Sequence, residues 1–529
     1  MFWAYRMRDE IIARYQPVIK RGEPLIIRDE KTMSGRVHIG SLRGVVIHGV
    51  ISEVLKEKKI KNQYLFEIND FDPMDGLPVY VDQERFRPYM GKLLCDVPSP
   101  DGKAKNFADY WAREFLGIIA TLGFSPKPYY SSDEYRAGAY NETIRLALDN
   151  AAAIRAIYKE VSGSVKDADW YPLQVVCESC GTVGTTKVNG WDGNKVTYRC
   201  EEALVKWAAG CGHSGTVNPF DGRGKLPWKV EWAAKFKVHG VHIEGGGKDH
   251  YTKGGARQIA ARICKEIFKY EPPYDIPYNF FVVGGKKMSS SKGMGSSSKE
   301  IADLLPPRLL RFLMLREPSK EIDFDPYGDT IPILYDTFDT YARAFFEKKD
   351  DDFAALFPYA FPAGERAKLK KIFLPRFSQI AYLSQMPHIT LDQAVAEMKG
   401  SKLTAAERTE MNARFTRALG WLEKYGPEKY KLTIQTELPE QTKSFSPLQK
   451  KALASILQYM RENKKFSGAE LHEKIHAIKS ELGIPPVELF SALYLTFLAK
   501  TSGPQAGWFL TALPREFVLN RLEEVSKLK

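Results

Sequence analysis

A short apolar run, a turn of small residues and an apolar helix-length segment constrain this chain's fold more than anything else in it. Pro24-Leu25-Ile26-Ile27 has the composition of a buried strand. Ser34 to Ser41 then reads SGRVHIGS, and Val45, Val46, Ile47, Val50, Ile51, Val54 and Leu55 follow at helical spacing. Strand, loop and helix in that order form the opening unit of an open parallel sheet covered by helices. The loop of such a unit lies at the helix N-terminus, where backbone N–H groups and the helix dipole favour a phosphate. His38 adds a donor there, and Gly40 allows close approach of a ligand.

Later stretches fit the same architecture. Tyr64 to Ile68 reads as a second buried strand that empties into Asn69, Asp70, Asp72 and Asp75 around Pro73. Acids at a strand's carboxyl end are placed where open parallel sheets keep their sites, so Asp70 or Asp72 is expected to line one. Asn141 to Gly163 reads as one long amphipathic helix capped by Asn141. Trp228 and Trp232 share a helical face, and the strand after them runs into Glu244, three glycines and Lys248-Asp249-His250. Glycine-rich backbone followed by a carboxylate suits a ribose with two hydroxyls. Finally, the strand Phe280 to Val283 turns at Gly284-Gly285 into Lys286, Lys287, Met288, Ser289, Ser290, Ser291, Lys292 and Gly293. Cations, small hydroxyls and permissive glycines in one loop are the chemistry of a polyphosphate grip.

Four of six cysteines are clustered: Cys177 and Cys180 in CESC, then Cys200 and Cys211, with His213 close by. A Cys-x-x-Cys knuckle with further soft ligands downstream is the donor set of a tetrahedral, structural Zn2+ site, in which His213 offers an alternative ligand. Cys95 and Cys264 are isolated thiols.

The 529 residues leave room for two to four domains, and 44% hydrophobic with 27% charged residues is a globular composition. A net charge of +12 suits a polyanionic partner without specifying one. No apolar run approaches a membrane span and the first residues lack a secretory h-region, so a soluble cytoplasmic protein is expected. After Pro326 the pattern is helical throughout, including one helix over ERAKLKKIFLPRFSQIAYLSQM; Lys431 to Phe445 reads as a linker.

The pair HIGS and KMSSS resembles the HIGH and KMSKS signatures of class I aminoacyl-tRNA synthetases, with Ser41 at the second His and Ser290 at the second Lys. That leaves Lys286 or Lys292 to neutralise the phosphate. HIGS, CESCG, YRC, GCGH, KLPW with EW, EGGGKDH with GGAR, KKMSSSKG and EIDFDP, in this order, resemble the class I, archaeal-style lysyl-tRNA synthetases over residues 1 to about 345. The resemblance implies an α/β, Rossmann-like parallel-sheet catalytic domain over 1–325 with a zinc-binding insertion over 165–225, followed by an all-α anticodon-binding domain over 326–529. It implies that His38, Gly40 and Ser41 contact ATP, that Gly247 and Asp249 hold its ribose, and that Lys287, Met288, Ser289, Ser290 and Ser291 form a mobile phosphate loop. His38, Lys287 and Lys292 are then the catalytic groups. Thr32, Asp70, Trp228, Glu244, His250 and Tyr278 line the lysine pocket, with Glu30, Asp70 and Glu244 as rival partners of the ammonium. Expected cofactors are ATP, Mg2+ and Zn2+, and expected partners are tRNA(Lys) and L-lysine, with no membrane and a monomeric state. The alternatives are a class I enzyme for glutamate or cysteine, or a tRNA-binding zinc protein that charges nothing.

Overall fold

In the computed structural model, which describes residues 1–287, 297–386 and 390–528, five strands form one parallel sheet. They are β1 (Leu25–Thr32), β2 (Asn62–Asn69), β3 (Lys127–Tyr130), β4 (Ile243–Gly247) and β5 (Tyr274–Tyr278), arranged β5-β4-β1-β2-β3. β1 and β2 pair without a break from Leu25 opposite Asn62 to Thr32 opposite Asn69. The order runs one way from β1 through β2 to β3 and the other way through β4 to β5. The carboxyl ends of β1 and β4 therefore flank the switch point, where a crevice opens in sheets of this kind.

Helix α1 (Ser41–Glu57) follows β1, and every residue from Leu42 to Leu55 except Glu53 is buried. A helix apolar on all sides belongs inside a core, and this one needs close neighbours. A Cβ on Gly49 would lie 2.3 Å from the Phe124 ring. The buried Arg43 donates to the carbonyls of Asn279 (2.8 Å), Glu317 (3.1 Å) and Lys320 (2.5 Å), tying α1 to the segment around β5. Burial lowers this guanidinium to about 10. Further helices of this unit are α2 (Phe107–Thr121), α3 (Trp228–His239) and α4 (Ala256–Glu266).

Between β3 and β4 lies an insertion whose buried residues share one apolar cluster with α3 and α4. The single helix expected over Asn141 to Gly163 is two, Asn141–Asp149 and Ala151–Ser162, broken at Asn150. The Asn150 side-chain amide donates to Leu146 O at 2.8 Å, the local bonding by which asparagine competes with a continuing helix. An antiparallel sheet of Thr186–Trp191, Val196–Cys200 and Ser214–Val217 carries the cysteines.

Met1–Phe324 and Lys348–Leu369 form one compact unit; Asp325–Glu347 and Lys370–Lys529 form a second, in which the described residues are helices and turns. Capping boxes start three of its helices, at Thr404 with Glu407, Ser446 with Gln449, and Ser467 with Glu470. The helix expected over ERAKLKKIFLPRFSQIAYLSQM is reduced to Ala363–Arg366 and Phe377–Leu383. Pro375 disfavours helical backbone before it, and residues 367–376 are irregular. No described helix is long and apolar enough to cross a membrane.

Candidate active site

A pocket of about 290 Å³ opens at the switch point, walled by the ends of β1 and β4, the His38 turn and β5. The turn enters α1 with no side-chain cap, so the N–H groups of the first helical turn carry no such partner. Ser298 N donates to Val37 O at 2.8 Å and Ser298 Oγ to His38 O at 3.0 Å. The chain that follows the Lys/Ser loop is thereby stitched to the HIGS turn, although some 260 residues separate them in sequence. Gly44 allows a close approach: a Cβ there would sit 2.8 Å from the Tyr278 hydroxyl and 3.1 Å from Asp29 Oδ2. Beneath the pocket the buried His48 bridges two strands. Its Nε2 accepts the Gly245 N–H at 2.7 Å, and its Nδ1 faces Gly44 O at 2.8 Å and Asp29 Oδ2 at 3.3 Å. Burial disfavours the imidazolium and Asp29 more than offsets it, raising the pKa. Even so, Nε2 can accept the Gly245 proton only while it keeps its lone pair, so the geometry is that of the Nδ1–H tautomer.

One wall of the pocket is a buried charge network. Arg28 donates to Glu244 at 2.5 Å and also to Glu30 and Glu67. Lys235 meets Glu67 at 2.7 Å, Glu30 at 2.9 Å and Glu231 at 3.4 Å; Lys225 meets Glu231 at 2.8 Å and Asp72 at 2.9 Å. Five carboxylates thus face three cations, an excess of two negative charges. Burial pushes Glu67 up, but Lys235 and Arg28 outweigh it and hold the carboxyl well below the usual range. Burial raises Glu244 despite Arg28, and both its oxygens are engaged, one by Arg28 and the other by the Trp232 indole N–H. Glu30 differs. Its side chain is 37% exposed, it lines the pocket, and Arg28 and Lys235 both bond Oε2 rather than Oε1.

A family model for class I (K) tRNA synthetases matches residues 1–359. The chain belongs to that family. Curated relatives agree over nearly the whole length. This synthetase is 32% identical to a lysine–tRNA ligase of Methanosarcina barkeri, covering 97% of this chain and 96% of that one. It is 31% identical to lysine–tRNA ligase 1 of Methanosarcina acetivorans, with 99% and 98% covered, and 31% identical to the lysine–tRNA ligase of Archaeoglobus fulgidus, with 99% of each covered.

Ten of the residues singled out from the synthetase's sequence line the one pocket: Glu30, His38, Gly40, Ser41, Trp228, Glu244, Gly247, Asp249, His250 and Tyr278. Trp228 stacks on Trp232 at 6.0 Å, and His250 stands edge-on to both rings at 5.6 and 5.5 Å. Asp249 folds over the strand end, since a Cβ on Gly247 would meet its Oδ1 at 2.8 Å. Two expected residues lie elsewhere. Asp70 is fully buried and accepts from Ser132 N at 2.8 Å and Ser132 Oγ at 2.6 Å, which uses it to anchor the start of the helix Ser131–Arg136. Thr32 Oγ1 donates to Asp72 at 2.8 Å, behind the pocket wall. The backbone of Lys287 pairs with Val282 in a short hairpin; Met288, Ser289, Ser290, Ser291 and Lys292 lie outside the described residues. The structure adds Asp29, Lys31 and Trp232 to the lining, and burial lowers the Lys31 pKa. Trp232 was signalled by its helical spacing from Trp228; Asp29 and Lys31 were signalled only by the Arg28-Asp29-Glu30-Lys31 run, and a run of charges ordinarily marks a solvated edge.

The synthetase's cysteines converge as well. The sulfurs of Cys177, Cys180, Cys200 and Cys211 lie within 4.8 Å of one another, and the pairs Cys177–Cys211 and Cys180–Cys200 are each 3.7 Å apart. A tetrahedral Zn2+ with Zn–S bonds of about 2.3 Å has S–S edges of about 3.8 Å, so this donor set fits the ion. Burial pushes the Cys177 thiol up to about 12, while the His213 backbone N–H chiefly lowers Cys211 to about 6. His213 is not in the group; its ring lies 6.0 Å from that of Tyr198.

Proposed function

We propose that this chain is a lysine–tRNA ligase, which activates L-lysine with ATP and transfers it to the terminal adenosine of tRNA(Lys). The observation that carries the choice of amino acid is the negative excess of the pocket wall together with the partly exposed Glu30 among the lining residues. A buried site short of positive charge favours a cation, and the substrate ammonium is one. Glu30 is its partner in this reading, with Trp228, His250 and Tyr278 forming the aromatic surround that suits a cation. Glu244, already committed to Arg28 and Trp232, holds the wall rather than the substrate.

In the first step a lysine carboxylate oxygen attacks the α-phosphorus of ATP, and the bond to pyrophosphate breaks. In the second, a ribose hydroxyl of the terminal adenosine attacks the lysyl carbonyl and AMP leaves. Neither step requires a protein nucleophile. His38 at the N-terminal end of α1 would meet phosphate oxygens, Asp249 would accept from the ribose, and Lys31 adds a cation to the pocket lining. Lys287 with Lys292 and the serines between them would close on the departing pyrophosphate. Mg2+ would neutralise the triphosphate, and Zn2+ on the four cysteines would brace the insertion. In this reading residues 1–325 supply the chemistry and 326–529 read the anticodon.

The deciding experiment charges total tRNA with each of the twenty amino acids in the presence of ATP and Mg2+. Lysine alone is expected; charging with glutamate or another amino acid overturns the pocket assignment. Lys287→Ala should lower the activation rate about 100-fold while leaving lysine KM nearly unchanged.

A further inference from the structure

The parallel sheet forks at the pocket, and His48 stands in the fork. β1 pairs with β4 through two residues, Ile27 opposite Ile243 and Arg28 opposite Glu244. Beyond them β1 stays on β2 as far as Thr32, and β4 stays on β5 as far as Gly247. The next pair in the ladder would be Asp29 with Gly245, and both residues line the pocket. The buried imidazole of His48 bridges that pair instead. Its Nε2 accepts the Gly245 N–H at 2.7 Å, while Nδ1 lies 2.8 Å from Gly44 O and 3.3 Å from Asp29 Oδ2. Asp29 completes the β1 arm, its Oδ1 accepting the Glu30 N–H at 2.9 Å. Backbone donors just past the split on both strands are thus met by side chains, where a paired strand would supply a carbonyl. The face of α1 that enters the fork fits closely. A Cβ on Gly44, one turn before His48, would sit 3.1 Å from Asp29 Oδ2; one on Gly245 would sit 3.2 Å from His48 Nε2 and 2.6 Å from Ile276 O.

We propose that His48 is a positioning residue that holds the two strands apart and aims the Gly245–Gly247 backbone at the nucleotide. The inference deepens the ligase reading and rests on it for the identity of that nucleotide, ATP. A crevice at a switch point requires neighbouring strands to part, and parting leaves ladder groups that are costly to bury unpaired. One imidazole answers both strands because its two nitrogens differ in role: the bare one accepts from β4 and the protonated one faces β1. A carboxylate offers only acceptors and an ammonium only donors. Through Gly245 the ring fixes the start of the glycine run that ends at Gly247, beside Asp249. Glu30 on the β1 arm is held independently by Arg28 and Lys235. The nucleotide end of the pocket therefore depends on His48, and the lysine end does not.

The test uses the full chain and measures Kd for ATP with Mg2+ and for L-lysine, together with hydrogen exchange over residues 243–247, in the wild type and in His48 variants. His48→Gln keeps an acceptor near the place of Nε2, His48→Asn keeps a polar group only near that of Nδ1, and His48→Leu keeps neither. His48→Leu and His48→Asn should weaken ATP about tenfold, leave lysine within about twofold, and speed exchange of the Gly245 amide about tenfold. His48→Gln should restore both ATP affinity and protection. Equal losses of ATP and lysine affinity would make His48 a general core residue and overturn the proposal. A Gln variant no better than Asn, or a Leu variant that matches the wild type, would overturn it as well. If His48→Leu does not fold, the comparison of Gln with Asn decides alone. A wild type that charges no lysine or binds no ATP removes the ligase reading; the exchange measurement needs no ligand and decides by itself whether His48 holds the fork.

Discussion

Two buried arginines, one in each compact unit, show how differently the same group is used. Arg414 is 1% exposed and grips Asp339 with both terminal nitrogens (2.8 and 2.5 Å), while its Nε donates to Glu410 at 2.8 Å. Asp339 spends both oxygens on that one guanidinium, so the cluster is turned inward. Arg28 is equally buried, yet its partners come from β1, β2 and β4 and include Glu30, which also faces a cavity. The difference is access: carboxylates enclosed by helices around one guanidinium are structural, whereas one that also lines a cavity is placed to meet a cation.

Removing the metal should have the largest effect and should confine it to one unit. Without a cation, four sulfurs within 4.8 Å of one another lose the bonds that would hold them together. A strong chelator is expected to open the Thr186–Val217 sheet to hydrogen exchange while leaving the helices of the second unit protected. Loss of protection in both would mean that the insertion is not a separate element of stability. Next in size is Arg28→Met, which sets Glu30, Glu67 and Glu244 against one another with only Lys235 to offset them. It should cost about 3–5 kcal/mol. Arg521→Met, whose guanidinium bonds the carbonyls of Gln435, Thr436, Glu437 and Thr496, should cost about 1–3 kcal/mol, since the buried acceptors it strands are neutral and its one charged partner, Glu524 at 3.4 Å, is exposed. Denaturant unfolding of both variants orders the two, and the reverse order would break the comparison.

The parts of this architecture that repeat along the chain were legible in its sequence. The strand, turn and helix around His38, the cysteine spacing and the helical periods after Pro326 each carry a local signal that the structure answers, apart from the helix interrupted before Pro375. What escaped was set by pairing across distance. Arg28 reads as one more charge in a charged run until β2 and β4 bring Glu67 and Glu244 beside it. His48 sits in an apolar helix and reveals its role only through the Gly245 N–H, 197 residues away. Asp70 looked like a site residue because acids gather at strand ends, but Ser132 takes both its oxygens. The break at Asn150 was missed for the opposite reason: one side-chain amide outweighed a periodic pattern that runs straight through it.

A smaller effect, but a sharper division between the units, is expected from neutralising single acids. Glu30→Gln should lower kcat/KM for lysine about 100-fold, mainly through KM, and leave unfolding unchanged or slightly improved, because it removes charge from an over-acidic cluster. Asp339→Asn should do the reverse, shifting unfolding and leaving lysine KM alone. Steady-state kinetics with thermal melts on both proteins would sink the division if Glu30→Gln destabilised without touching KM.

Acidification should give the smallest signal, and its sign differs between the clusters. Glu67 and Asp72 have folded-state pKa values held below their ordinary 4.5 and 3.8, in each case because neighbouring cations outweigh burial. Their stabilisation is present above those ordinary values and is lost as the pH falls through the folded ones. Glu244 is raised by burial and opposes them in part. In the second unit burial raises Asp339 above 3.8, so the folded form takes up that proton first and acid relieves the cluster instead of breaking it. Glu407, lowered to about 2 chiefly by Lys399, would blur the contrast. The measurement therefore belongs in a Glu407→Gln background, which retains a capping side chain at that position. Hydrogen exchange followed from pH 7 downward should show β1 and β2 losing protection below about pH 4.5, while the helices around Arg414 hold. Equal loss in both units would mean that the buried network at the pocket contributes no stability of its own and exists only for the substrate.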